Sequence, residues 1–222
     1  MKNCLPFGTF FAAAALLCLC PEKSSAEPLR DMLESECLSP AAAAAFFGEA
    51  VLRVEEFFDG GETYAFSIDG IPVSLSFRDA DVTVTSRGMT AVVSSGGAPF
   101  APLVAGISVG TFDLFSQYLF WPSVAYEGPG KIIGRRAQRF LVVAPSDVWA
   151  PVAAVRVWLD SKFYYPIAWD ALDGDGALVR RFRLRSLIRG KDGEWGPKRM
   201  DIFSVVDRRR SHIEVVGHGN GD

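Results

Sequence analysis

The residues best suited to chemistry are a serine, two aspartates and a histidine. Gly106-Ile107-Ser108-Val109-Gly110 has the spacing of a nucleophile elbow, and Asp160, Asp173 and His212 follow in the acid-then-base order of an α/β-hydrolase. That motif works where a strand turns sharply into a helix within a parallel sheet, which lifts the serine hydroxyl clear. Pro99 and Pro102 precede it, and the flanking pattern is antiparallel, so Ser108 is expected in a loop leading to a helix. A hydrolase using Ser108 stays a minor alternative. Asp173-Gly174-Asp175-Gly176 resembles part of a calcium loop, but its first and twelfth ligand positions fall on Ala171 and Phe182, so a hairpin turn is expected. His212 and His218 lack metal-site spacing, Glu55-Glu56 are expected to point to opposite faces of a strand, and Gly134-Arg135-Arg136 lacks the phosphate-loop pattern. Arg208-Arg209-Arg210 reads as a solvated turn rather than a nucleic-acid contact. No catalytic residue, metal or cofactor is expected.

The elements that carry these residues are mostly strands. Between 153 and 216 apolar and polar residues alternate, broken at Asp160, Pro166, Asp173–Gly176, Gly190–Gly193 and Trp195-Gly196-Pro197. Leu178, Phe182, Leu184 and Ile188 fall on one face and Arg181, Arg183 and Arg185 on the other, the period of a sheet with one dry side. Thr63–Asp69, Ile71–Arg78, Asp81–Ser86 and Met89–Ser95 continue the pattern, with Asp69-Gly70 and Arg87-Gly88 as hairpin turns. Ala50–Phe58 is taken as a further strand. Strands near Ile132–Val143, Ala153–Asp160, Ile167–Leu172, Ala177–Ile188, Lys198–Val206 and Ser211–Val216 follow a turn at Gly128-Pro129-Gly130, and the tail from Gly217 is expected to fray.

Three helical pieces interrupt them. Pro28–Leu38 has an apolar stripe. Ser39-Pro40 supplies an N-cap and a first-turn proline for the Ala41–Phe47 run, ended by Gly48. Thr111 is expected to cap Phe112–Trp121, a helix apolar almost all round and therefore buried. Eleven or so strands with few helices between them exclude a doubly wound parallel sheet. The expected architecture is mainly β (α+β): a strongly curved, antiparallel open half-barrel of about eleven strands, with helices covering the concave face.

Residues 1–26 read as a secretory signal peptide, with Lys2, an apolar core over Phe10–Leu19 and small residues at Ser24-Ser25-Ala26. Lipidation at Cys18 or Cys20 is disfavoured by the leucine before each. Residues 27–222 then form one domain, with Cys37 as its lone cysteine and an inert core thiol. The charge is uneven: 27–130 holds 4 basic and 14 acidic residues, 131–222 holds 17 and 11. Both halves would solvate the outer face of one sheet, or the basic half would face an acidic partner or anionic lipid.

The stretch Val155-Arg156-Val157-Trp158-Leu159-Asp160, then Pro166, Asp173–Val179, Gly193–Pro197 and Met200-Asp201-Ile202, with Ile107–Trp121 upstream, resembles the LolA/LolB-like outer-membrane lipoprotein-sorting proteins over roughly 48–216. The resemblance implies a half-barrel lidded by helices around an apolar cavity for acyl chains of lipoproteins or other lipid. It implies binding without catalysis, a periplasmic monomer, an inner-membrane transporter as donor and an outer-membrane acceptor. On that expectation Phe66, Leu75, Phe77, Leu114, Phe115, Tyr118, Leu119, Trp121, Phe182 and Leu184 line the cavity. The same residues would serve a solid core, and composition does not separate the two. A non-catalytic envelope adaptor on the same fold is the alternative.

Overall fold

The computed structural model describes residues 37–59, 62–78, 81–94, 101–145, 152–189 and 195–220. The expected signal segment, nearly all of the 28–38 helix, and the break at 190–193 lie outside them. Residues 37–39 are irregular. Cys37 is exposed, which corrects the expectation of a core thiol.

Eleven strands form one antiparallel sheet: β1 (Glu62–Ile68), β2 (Ile71–Arg78), β3 (Asp81–Ser86), β4 (Met89–Ser94), β5 (Ser123–Ile132), β6 (Arg135–Val143), β7 (Ala154–Asp160), β8 (Pro166–Leu172), β9 (Leu178–Arg189), β10 (Trp195–Ser204) and β11 (Arg209–Asn220). Their order is β4-β3-β2-β1-β11-β10-β9-β8-β7-β6-β5. Two meanders therefore meet at the β1–β11 seam, and the sheet stays open, with β4 and β5 as its edges. This is the expected mainly-β open half-barrel. Asp69-Gly70, Arg87-Gly88 and Ile133-Gly134 each place two successive residues at positive φ (51° and 80°, 50° and 77°, 45° and 78°), as a two-residue hairpin turn requires.

One inward row crosses seven strands: Tyr126, Phe140, Val157, Trp169, Phe182, Ile202 and Ser211 are successive cross-strand partners, all buried. Trp169 and Phe182 stack with centroids 5.7 Å apart. Such pairs stabilise a sheet by roughly 0.2–1 kcal/mol each beyond burial. Across this face runs α1 (Pro40–Asp59). Ser39 Oγ accepts from the Ala42 N–H at 3.2 Å, the expected cap. Ala43, Phe47, Ala50 and Val54 form its buried stripe. Phe46 meets Tyr164 and Phe47 meets Phe140, at 4.8 and 5.1 Å between centroids, while the other end reaches β2.

Several boundaries differ from the sequence reading. The helix runs through Gly48, so Ala50–Phe58 is helical and not a strand. The stripe at i, i+4, i+7 and i+11 continues past the glycine, whose cost of about 1 kcal/mol is outweighed by burial. Glu55-Glu56 accordingly lie on a helix. Gly128-Pro129-Gly130 is not a turn; it lies within β5, an edge strand where a missing N–H is tolerated, next to a bulge between Tyr126 and Gly128. Trp195-Gly196-Pro197 likewise opens β10 instead of breaking the chain. The tail does not fray at Gly217: β11 continues to Asn220 because β1 pairs with it, Glu62 opposite Asn220. The register shifts again between β9 and β10 around Arg185, so that Leu187 turns toward the concave side and Ile188 is exposed.

Candidate functional site

The expected continuous helix over Phe112–Trp121 is two short pieces, α2 (Thr111–Phe115) and a 3₁₀ turn (Gln117–Phe120), hinged at Ser116 with φ 48°. Ser116 takes the left-handed conformation that ends a helix. Thr111 is not the cap: Gly110 is, and its N–H donates to Asp113 Oδ2 at 2.8 Å. The loop before it folds on itself, Leu103 N–H donating to Val109 O at 2.9 Å, with Leu103, Ile107 and Val109 buried. Phe112 and Tyr118 pack on Trp169 at 5.4 and 6.0 Å between centroids. Segment 101–121 is thus a second cover on the concave face, beside α1.

What fixes this cover is an arginine on the dry face. Arg180 shares the inward parity of Phe182 and Leu184. It makes a buried bidentate pair with Asp113, Nε to Oδ1 at 2.5 Å and Nη2 to Oδ2 at 2.6 Å, and also donates to the Ser108 carbonyl. Asp113 is fully buried. Burial pushes its pKa up, against the opposing pull of Arg180 and the Gly110 N–H. Tyr118 is also raised by burial.

Between the two covers and the sheet lies an apolar cavity of about 110 Å³. Phe66, Leu75, Leu114, Phe182 and Leu184, five of the ten residues expected at a lipid cavity, border this space. Tyr118, Leu119 and Trp121 instead pack in the core beside it. Phe77 and Phe115 belong to β2 and α2, but their side chains are outside the described residues. Val54, Trp169 and Met200 line the cavity without having been singled out. Trp169 and Met200 alternate inward in their strands, which was the available signal. Val54 was hidden by the strand assignment of its helix.

The convex face carries charge. Asp170 accepts from Arg181 (2.9 and 2.8 Å) and pairs with Arg183 (2.7 Å), while Glu127 accepts from Arg156 (2.7 and 3.0 Å). Asp201 takes Arg185, Arg210 and His212 Nδ1. Burial alone would raise Asp170 and Asp201, but the guanidinium hydrogen bonds outweigh it and hold both below the ordinary 3.8. Arg183 also lies over Trp158 at 5.3 Å. The expected outward arginine stripe is therefore an ion-pair belt.

The structure does not assemble the hydrolase constellation. Ser108 Oγ lies 2.9 Å from Ser211 Oγ on the inner side, whereas the adjacent His212 points outward to Asp201. Asp160 binds Arg135, and Asp173 accepts from the N–H groups of Asp175 and Ala177 at 3.0 and 2.8 Å, closing its own turn. Among the described residues there is no cluster of three potential metal ligands.

The geometry is that of an open antiparallel half-barrel whose concave face is lidded by helical segments around an apolar cavity. Solved structures share the fold. An outer membrane lipoprotein-sorting protein domain from Vibrio parahaemolyticus superposes with TM-score 0.58 at 12% identity, covering 77% of this chain and 90% of that one. A DUF1329 family protein from Desulfovibrio piger gives 0.57 at 14%, covering 79% and 91%, and a LolA superfamily protein from Nitrosomonas europaea 0.52 at 9%, covering 79% and 94%. The fold is LolA-like. No family model and no curated protein matches the sequence.

Proposed function

We propose that this chain is a periplasmic carrier that shelters acyl chains, of lipoproteins or other lipid, between its concave sheet and the cover formed by α1 and segment 101–121, for sorting to the outer membrane. An inner-membrane transporter would load it and an outer-membrane acceptor would unload it. The observation that carries the reading is the apolar cavity bounded by Phe66, Leu75, Trp169, Phe182, Leu184 and Met200 under a cover hinged at Ser116. Each acyl methylene withdrawn from water is worth about 0.8 kcal/mol, so even a short chain gains substantially by entering. The cavity's 110 Å³ is smaller than the roughly 300–1,000 Å³ of ordinary ligand pockets, so a long acyl chain would need more room than the described state offers. Nothing in the binding step calls for a nucleophile.

Saturable binding of a fluorescent fatty acid, displaced by unlabelled lipid, is the expected result, together with lipid found by mass spectrometry in protein purified from its own envelope. Absence of both would overturn the reading. The arginine-rich convex belt favours a second reading, a non-catalytic envelope adaptor, which predicts a crosslinked protein partner and no acyl binding.

A further inference from the structure

The apolar cavity does not end in solvent alone. Beside it lies an open pocket of about 600 Å³ lined by Ile133, Arg135, Lys162, Phe163, Leu184, Arg185, Ser186 and Leu187. Leu184 and Leu187 belong to both, so the two spaces share a wall at one end of the half-barrel. Tyr165 and Pro166, on the cavity side, follow Lys162 and Phe163, on the pocket side, after the single residue Tyr164. The bulge at Arg185 creates this junction: it turns Leu187 toward the cavity while Arg185 and Ser186 line the vestibule.

The vestibule is cationic over an apolar floor. Arg135 and Lys162 lie over the Phe163 ring at 5.4 and 5.1 Å. Lys162 has no carboxylate partner among the described residues. Arg185 shares Asp201 with Arg210 and His212, so that one carboxylate is outnumbered. Arg135 pairs with Asp160, whose other oxygen accepts the Lys162 and Phe163 backbone N–H groups. Ser186 Oγ is buried and has no hydrogen-bond partner among the described residues. Positive charge and an unused hydroxyl next to an apolar cavity match a molecule with an anionic head and an apolar tail.

Resting on the carrier reading, we propose that the vestibule holds the anionic headgroup, phosphate or carboxylate, of an acyl ligand whose tail enters the cavity past Leu184 and Leu187. The head exchanges water for Lys162, Arg135 and Arg185, and Ser186 Oγ donates to it. Electrostatic complementarity of this kind selects among amphiphiles that the apolar cavity alone would treat alike.

The test uses dodecyl phosphate, dodecanol and inorganic phosphate with the full chain, read by displacement of a fluorescent acyl probe and by calorimetry. Dodecyl phosphate is expected to bind about tenfold tighter than dodecanol, a preference that shrinks as salt rises. Lys162→Glu is expected to abolish the preference while leaving dodecanol affinity unchanged, and Lys162→Arg to retain it. Inorganic phosphate alone is expected not to compete. Equal affinity for the two amphiphiles overturns the headgroup assignment and leaves the carrier reading standing. Phosphate binding as tight as dodecyl phosphate also overturns it, marking a free-anion site. Failure of both amphiphiles to bind overturns the carrier reading and this inference with it.

Discussion

The Arg180–Asp113 pair offers the sharpest test of how the cover is held. Asp113 is 0% and Arg180 9% exposed at the side chain, so neither charge is screened by water. Asp113→Leu would leave the guanidinium with only the Ser108 carbonyl, and Gly110 N–H without its acceptor. Stranding one partner of a buried pair costs about 3–5 kcal/mol. For a domain of this size each kcal/mol lowers Tm by roughly 2–4 °C, so a fall of about 6–20 °C is expected. Replacing both partners by apolar residues of similar size, Asp113→Leu with Arg180→Met, removes the stranded charge and should restore most of the loss, because such swaps are often neutral or stabilising. The assay is urea unfolding of wild type, both single variants and the double variant, analysed as a double-mutant cycle. A coupling energy of at least about 2 kcal/mol is expected. Additive losses, or a single variant costing under about 1 kcal/mol, would refute the idea that this pair is desolvated and anchors segment 101–121.

The convex belt gives a pH prediction. Asp170 and Asp201 have folded-state values below the ordinary 3.8, so they contribute stability at pH above that value and lose it as pH falls through the lower folded-state values. Melting temperatures from pH 6 to 2 should therefore fall mainly below about pH 4, and Asp170→Asn with Asp201→Asn should flatten that fall. Val54→Phe places a ring in the cavity from α1; acyl-probe affinity is expected to drop while Tm holds or rises slightly, as cavity filling does. Ser39→Ala removes the α1 cap and should cost about 1 kcal/mol in urea unfolding. Ser108→Ala should leave probe binding intact, and any esterase activity that it abolished would revive the hydrolase reading.

The period-two pattern was enough to place nearly every strand of the sheet and its dry and wet faces, because alternation follows from the geometry of the extended chain and needs no partner. Two-residue turns at Asp69-Gly70 and Arg87-Gly88 were readable for the same local reason. Misassignments arose where tertiary context outweighs local preference. Gly48 sits inside a helix because Phe47, Ala50 and Val54 are buried on the sheet, and Pro129 sits in a strand because β5 is an edge. Arg180 carried the inward parity openly, yet an arginine on a dry face makes sense only once Asp113, 67 residues away, is seen to meet it. The sequence could place apolar residues on one face, but the volume left between them depends on how α1 and segment 101–121 pack against that face. That packing is a sum of long-range contacts, and it leaves a small apolar cavity with a charged pocket beside it.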